Sequence, residues 1–234
     1  MDTVTASRQR TDVLVNEFVR SVYNWMCIGL ALTGAMALYV SGNEGLIRLI
    51  YGNSFILFGL IIVELGLVFA ISGMVARMSA ATATGLFLLY STLNGVTLSF
   101  IFLVYARASI VSTFFVCSAT FLACSIYGYT TKKDLTSWGG FLMMGLIGII
   151  IASLVNLFIR SSAMSTIVSY IGVLVFVGLT AYDTQKIKNM ALTQPAGLDG
   201  GVVRKGAILG ALSLYLDFIN LFLMLLRIFG QSRD

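Results

Sequence analysis

The sequence predicts an all-α, polytopic membrane protein with seven transmembrane helices. Three observations predict it. Of the 234 residues 58% are apolar and 11% charged, and the mean hydropathy is +0.94. Soluble domains carry about 25% charged residues, so this chain has too little polar surface to coat one core. Seven runs of mostly apolar residues also reach the length of about 18 needed to cross a bilayer. The alternating pattern of a β-barrel is missing from these runs, so helices are the remaining way to satisfy the backbone in lipid.

The runs are Val22 to Ser41, Ser54 to Ala76, Ala80 to Val104, Ala108 to Tyr129, Trp138 to Ile159, Ala163 to about Met190, and Lys205 to Phe229. Breakers and charge separate them: Gly42-Asn43-Glu44-Gly45, Lys132-Lys133-Asp134, and Gln194-Pro195-Ala196-Gly197 with the only proline. Elsewhere the helices are expected to be continuous. Residues 1–21 read as a cytoplasmic N-terminal segment, 22–229 as the transmembrane domain and 230–234 as a short tail. The first run follows polar residues and precedes six more spans, which reads as an uncleaved first helix and not a signal peptide.

The basic residues divide unequally between the two faces. Arg8, Arg10, Arg20, Arg77, Lys132, Lys133, Lys186, Lys188, Arg204 and Lys205 fall on one, and Arg48, Arg107, Arg160, Arg227 and Arg233 on the other. The positive-inside rule then puts the N-terminus in the cytoplasm and, after seven crossings, the C-terminus outside, unless the last segment is re-entrant. The net charge of +5 does not point to nucleic acid, because the basic residues are scattered beside apolar runs, where they set topology and meet lipid headgroups. Cys27, Cys117 and Cys124 are odd in number and lie in apolar runs, and the chain has no histidine, so neither a disulfide framework nor a zinc site is expected. Glycines such as Gly139, Gly145, Gly172 and Gly178 are read as close-packing positions.

Three acids lie inside the spans: Glu64, Asp183 and Asp217. A charge at the bilayer centre costs at least about 2.5 to 3.5 kcal/mol on insertion scales, so each needs a reason. Asp217 lies near the midplane, some 15 to 18 Å from either end of its run at about 1.5 Å per residue. With Ser213 and Asn220 it forms an i, i+4, i+7 polar stripe that should face protein or water. Asp183 is shallower, three residues before Lys186, and shares a short patch with Thr180 and Thr184. Consecutive antiparallel spans can bring Asp183 and Asp217 together only if slide, tilt or different helix ends absorb a depth difference of more than one turn. Two readings stay open: protonated acids that fix helix packing, and groups on a cation or proton path.

The segments Ala181-Tyr182-Asp183-Thr184-Gln185-Lys186-Ile187 and Leu214-Tyr215-Leu216-Asp217-Phe218-Ile219-Asn220-Leu221-Phe222, with Thr131-Lys132-Lys133-Asp134-Leu135, resemble the bacterial Bax inhibitor family, also called the transmembrane Bax inhibitor motif family. The resemblance covers the whole chain in span number and motif order. It implies a bundle with the last helix central, in the bacterial inner membrane, and a pH-sensitive calcium leak channel gated by an aspartate pair that shares a proton. By motif that pair is Asp183 and Asp217, which would also be the cation contacts. A latch arginine falls nearest Arg77 and a second-helix glutamate nearest Glu64, with Ser213 and Asn220 as further pore-lining positions. The chain is expected to be no enzyme and to use no cofactor, with Ca²⁺ as the permeant ion. Two carboxyls close together in low dielectric cannot both ionise cheaply, so such a pair titrates as a unit and its protonation becomes a switch.

Two rival functions arise. An intramembrane aspartyl protease would need a glycine-flanked second aspartate and a Pro-Ala-Leu motif, and neither is present around Asp217. A non-conducting modulator of membrane-protein quality control, partnering a membrane protease or other membrane proteins, would use the polar N-terminal segment and leave the aspartates without a role in ion flux.

Overall fold

A computed structural model describes residues 2–193 and 198–232, with side chains from residue 13 onward. The chain forms nine α-helices there: α1 (Asp2–Ser41), α2 (Glu44–Tyr51), α3 (Ser54–Met74), α4 (Ala80–Leu98), α5 (Ile101–Val104), α6 (Arg107–Thr130), α7 (Thr136–Ile159), α8 (Ser162–Thr193) and α9 (Gly200–Phe229). A 3-10 turn, Val75–Arg77, ends α3. Among the described residues there is no strand, only an isolated bridge between Tyr105 and Ser232. The predicted Pro195 turn lies outside the described residues.

Seven helical segments are long and apolar enough to cross a membrane: Val13–Ser41, Ser54–Arg77, Ala80–Val104, Arg107–Thr130, Thr136–Ile159, Ser162–Thr193 and Gly200–Phe229. They match the seven predicted runs one for one. The last is the most enclosed, with 72% of its most apolar stretch buried, against 11% in the second and fifth spans, which turn most of their surface to lipid. Hydrophobic residues such as Phe55, Phe69 and Phe158 are accordingly exposed.

Four details differ from the sequence reading. First, α1 starts far before Val22, and Val15, Phe18, Val22 and Met26 form a buried stripe at helical spacing. Second, the gap after the first span contains α2, started by the Asn43 side chain, which accepts the Leu46 N–H at 3.2 Å. Third, α9 begins at Gly200 and not at Lys205. Asp199 starts it by accepting the Gly201 N–H on its carboxylate at 2.9 Å and the Val202 N–H on its carbonyl at 2.9 Å, so Gly200 and Gly201 form its first turn.

The fourth is a correction: the third span is not a continuous helix, but breaks at Ser99-Phe100 between α4 and α5. The Tyr51 hydroxyl, at the end of α2, accepts the Phe100 N–H at 3.1 Å and lies 2.9 Å from the Thr97 carbonyl and 3.0 Å from the Ser99 hydroxyl. Ser99 in turn donates to the Val96 carbonyl at 2.7 Å. Backbone groups freed by the missing helical bonds are thus paired inside the protein, as lipid requires.

The chain divides into two compact units, Met1–Val104 with Met190–Tyr215, and Tyr105–Asn189 with Leu216–Asp234. Helix α9 runs unbroken through both, its first half in the first unit and its second half in the second. In the first unit α1 and α4 pack closely, Gly95 lying against the Thr33 backbone. In the second, Gly128 on α6 lies so close to the backbone of Ala181 on α8 that any Cβ would overlap the Ala181 carbonyl. The turn from α7 to α8 is tight: Arg160 adopts φ 54°, and the Asn156 side chain accepts the Ser161 N–H at 2.9 Å.

Candidate functional site

Asp217 sits in the second unit, 5% exposed, on the half of α9 that packs against α6. Phe114 and Phe121 of α6 meet the Phe218 ring edge to face at 5.6 and 5.4 Å between centroids, and the Cys117 thiol lies 3.7 Å from the Phe218 carbonyl. These contacts clamp the turn that carries the acid. One of its carboxyl oxygens, Oδ2, is fully buried with no hydrogen-bond partner. Leaving a buried acceptor unpaired costs on the order of 1 to 3 kcal/mol.

Asp183, half-buried on α8, belongs to the same unit. The helix ends do not absorb the predicted depth difference: Asp183 lies ten residues before the end of α8 at Thr193 and Asp217 seventeen after the start of α9 at Gly200, so slide or tilt of the two helices must do so. Lys186 follows three residues further along α8, and its ammonium lies 6.0 Å from the Tyr182 ring centre.

The remainder of the Asp183 segment is fixed by the loop after α6. The Gln185 amide donates to the Lys133 carbonyl at 2.8 Å and accepts the Leu135 N–H at 2.8 Å. Lys188 donates to the Tyr129 carbonyl at 2.7 Å and lies over that ring at 4.9 Å. Two segments that carry the resemblance, 131–135 and 181–187, are therefore one hydrogen-bonded structure. In the same loop Asp134 accepts the Thr136 N–H at 2.8 Å and starts α7; these Thr136 bonds hold the exposed Asp134 carboxyl below its ordinary range.

Glu64 belongs to the first unit and has a set of partners of its own. It is 8% exposed, accepts the Thr97 hydroxyl at 2.9 Å on one oxygen and faces the Asn94 amide at 3.4 Å on the other. Asn94 accepts the Tyr215 hydroxyl at 3.1 Å; Tyr215 lies 2.6 Å from the Thr33 hydroxyl, which reaches the Ser91 carbonyl at 2.8 Å. A buried polar chain thus joins α3, α4, α9 and α1. Phe87 and Tyr90 close around the Tyr215 ring at 5.9 and 5.6 Å. Thr33 and Tyr215 were not expected as site residues, since single hydroxyls in apolar runs read as packing; the motif position of Tyr215, two residues before Asp217, was the one signal available.

The other predicted residues fare differently. Asn220 donates to the Leu216 carbonyl one turn back at 2.8 Å, and Ser213 is half-buried on the same helix. Arg77 ends α3 with an exposed side chain. No group of three or more histidine, cysteine, aspartate or glutamate side chains suited to a metal ion occurs among the described residues.

Comparison with known proteins places this architecture. Residues 15–234 match the family model described as "Inhibitor of apoptosis-promoting Bax1". The chain is 55% identical over 216 residues to the inner membrane protein YbhL of Escherichia coli K12, covering 92% of each. It is 47% identical over 233 residues to an uncharacterized protein of Borreliella burgdorferi, covering 99% of each. To an uncharacterized membrane protein of Streptococcus pyogenes serotype M6 it is 41% identical over 225 residues, or 95% of this chain and 96% of that one. With seven membrane-crossing helices and a family match over nearly its whole length, the chain belongs to the Bax inhibitor family of multi-pass membrane proteins.

Proposed function

We propose that the protein is a pH-sensitive cation leak channel of the bacterial inner membrane, with Ca²⁺ as a permeant ion and Asp183 and Asp217 as its gating pair. The observation that carries the reading is the unpartnered, buried Oδ2 of Asp217, in the compact unit that also holds Asp183 on the preceding span. A proton shared between the two would supply the missing partner and form a strong charge-assisted bond. Loss of that proton sets two like charges against each other, and a second proton removes the charge from the bond. Either change alters how tightly α8 and α9 are held. A hard cation passing the pair would find carboxylate oxygens, the ligands it prefers. The chain acts without catalysis or a resident cofactor, with its N-terminus in the cytoplasm and its C-terminus outside.

The test is Ca²⁺ entry into proteoliposomes across a pH series. Wild type is expected to leak with a pH-dependent rate, and Asp183→Asn and Asp217→Asn each to flatten that dependence. A wild type that passes no Ca²⁺, or variants with an unchanged pH profile, overturns the reading. Unaltered flux in both variants together with co-purification of a membrane protease would favour a non-conducting modulator.

A further inference from the structure

Three basic residues, Arg77, Arg204 and Lys205, lie in the first unit where α3 ends and α9 begins. Lys205 donates to the carbonyl of Ala76, the residue before Arg77, at 3.1 Å. Arg204 donates through Nε to the Thr84 hydroxyl at 3.1 Å, and its guanidinium lies over the Trp25 ring at 5.2 Å. The start of α9 is close to the start of α4, since a Cβ on Gly201 would meet the Ala80 Cβ at 4.0 Å. Among the described residues no carboxylate lies within ion-pair distance of any of the three. Asp199, the nearest acid along the chain, is engaged in capping α9.

The geometry leaves donors unused. Arg204 spends one of its five N–H groups on Thr84, and stacking on Trp25 fixes the plane of the rest. Arg77 is exposed, and its guanidinium forms no ion pair among the described residues. Beside these charges α3 presents Met74, 51% exposed and less than one turn before Arg77. Clustered, unpaired cations next to exposed apolar side chains at the end of membrane-crossing helices are satisfied together only by an anionic amphiphile.

We propose that Arg77, Arg204 and Lys205 form a binding site for the phosphate of an anionic phospholipid headgroup, with Trp25 as its aromatic wall and an acyl chain against Met74. Arginine pairs with phosphate through two parallel N–H bonds, and the lysine adds a point charge. This inference does not depend on channel activity.

Trp25 and Trp138 are the only tryptophans, so Trp138→Phe leaves Trp25 as a single fluorescent reporter of the site. In that background, protein reconstituted with phosphatidylglycerol carrying brominated acyl chains should be quenched more strongly than with brominated phosphatidylcholine. Arg77→Gln, a change at a side chain with no packing role, should reduce the preference about fivefold, the usual effect of one basic residue near an anionic surface. Arg77→Gln with Lys205→Gln should abolish it. Equal quenching by the two lipids, or a preference that survives both changes, overturns the site. Relief of the preference by inorganic phosphate would mean that the groups hold a free anion and would overturn the lipid assignment.

Discussion

At the scale of single residues, the two buried acids on α3 and α9 are held in opposite ways. Glu64 has a partner for each oxygen, whereas Asp217 has an oxygen with none. A satisfied carboxyl contributes to packing, and an orphaned one has a missing partner to account for, which is why gating is assigned to Asp217 and not to Glu64. The Glu64 chain makes its own prediction. Two hydroxyl protons, on Thr33 and Tyr215, serve three close contacts, to Ser91, to each other and to Asn94. Tyr215→Phe removes the central member and is expected to lower stability by about 1 kcal/mol, within the range of interhelical hydrogen bonds in membranes. Reversible unfolding in mixed micelles measures it. A Tyr215→Phe protein as stable as wild type would mean that the chain holds nothing together.

At the scale of elements, the break between α4 and α5 depends on a side chain from another helix. Without Tyr51, the Phe100 N–H has no partner in an apolar surrounding, and the Thr97 carbonyl loses its nearest donor. Tyr51→Phe keeps the ring and removes the hydroxyl, at an expected cost of about 1 kcal/mol. It should also speed amide exchange at Phe100 and its neighbours while leaving α6 and α7 unchanged. Exchange at Phe100 equal to wild type would show that the break is held by Ser99 alone.

The same region explains what the sequence made legible. Seven spans were readable because lipid demands long apolar runs. The break was not, since its cause is Tyr51, distant in sequence and next to a glycine-rich gap that read as a turn. The early start of α1 was hidden for a related reason: Val15 and Phe18 are buried by a one-sided stripe that an average over the polar segment conceals. At the site, Asp217 was legible from depth and its stripe alone. A pairing with Asp183 was not, because depth counted from the helix ends points away from it, and the observed ends at Thr193 and Gly200 widen that difference. Gln185 was equally hidden, as its two bonds go to backbone groups of a distant loop.

At the scale of the whole molecule, the open matter is which face meets the cytoplasm, and charge and connectivity bear on it together. Ten basic residues against five favour a cytoplasmic N-terminus. Helix α9 is unbroken over 30 residues, about 45 Å at 1.5 Å per residue, which exceeds the hydrocarbon thickness of about 30 Å and leaves no re-entrant turn among the described residues. Beyond it the chain turns at Gly230 to the link before α6, where the Ala106 N–H donates to the Gln231 carbonyl at 3.0 Å and Ser109 accepts the Gln231 N–H at 3.0 Å. Gln231 is therefore on the same side as the start of α6, whose first residue is Arg107, one of the minority charges. Alkaline phosphatase fused after the C-terminus is expected to be active, and green fluorescent protein at the same place to be dark. Fluorescence there would reverse the assignment of every loop, including the end at which Arg77 and Lys205 lie, and would put the minority of the positive charge in the cytoplasm. Such a result would mean that neither the basic residues flanking the first span, three before it and Arg48 after it, nor the sum over all loops directs insertion.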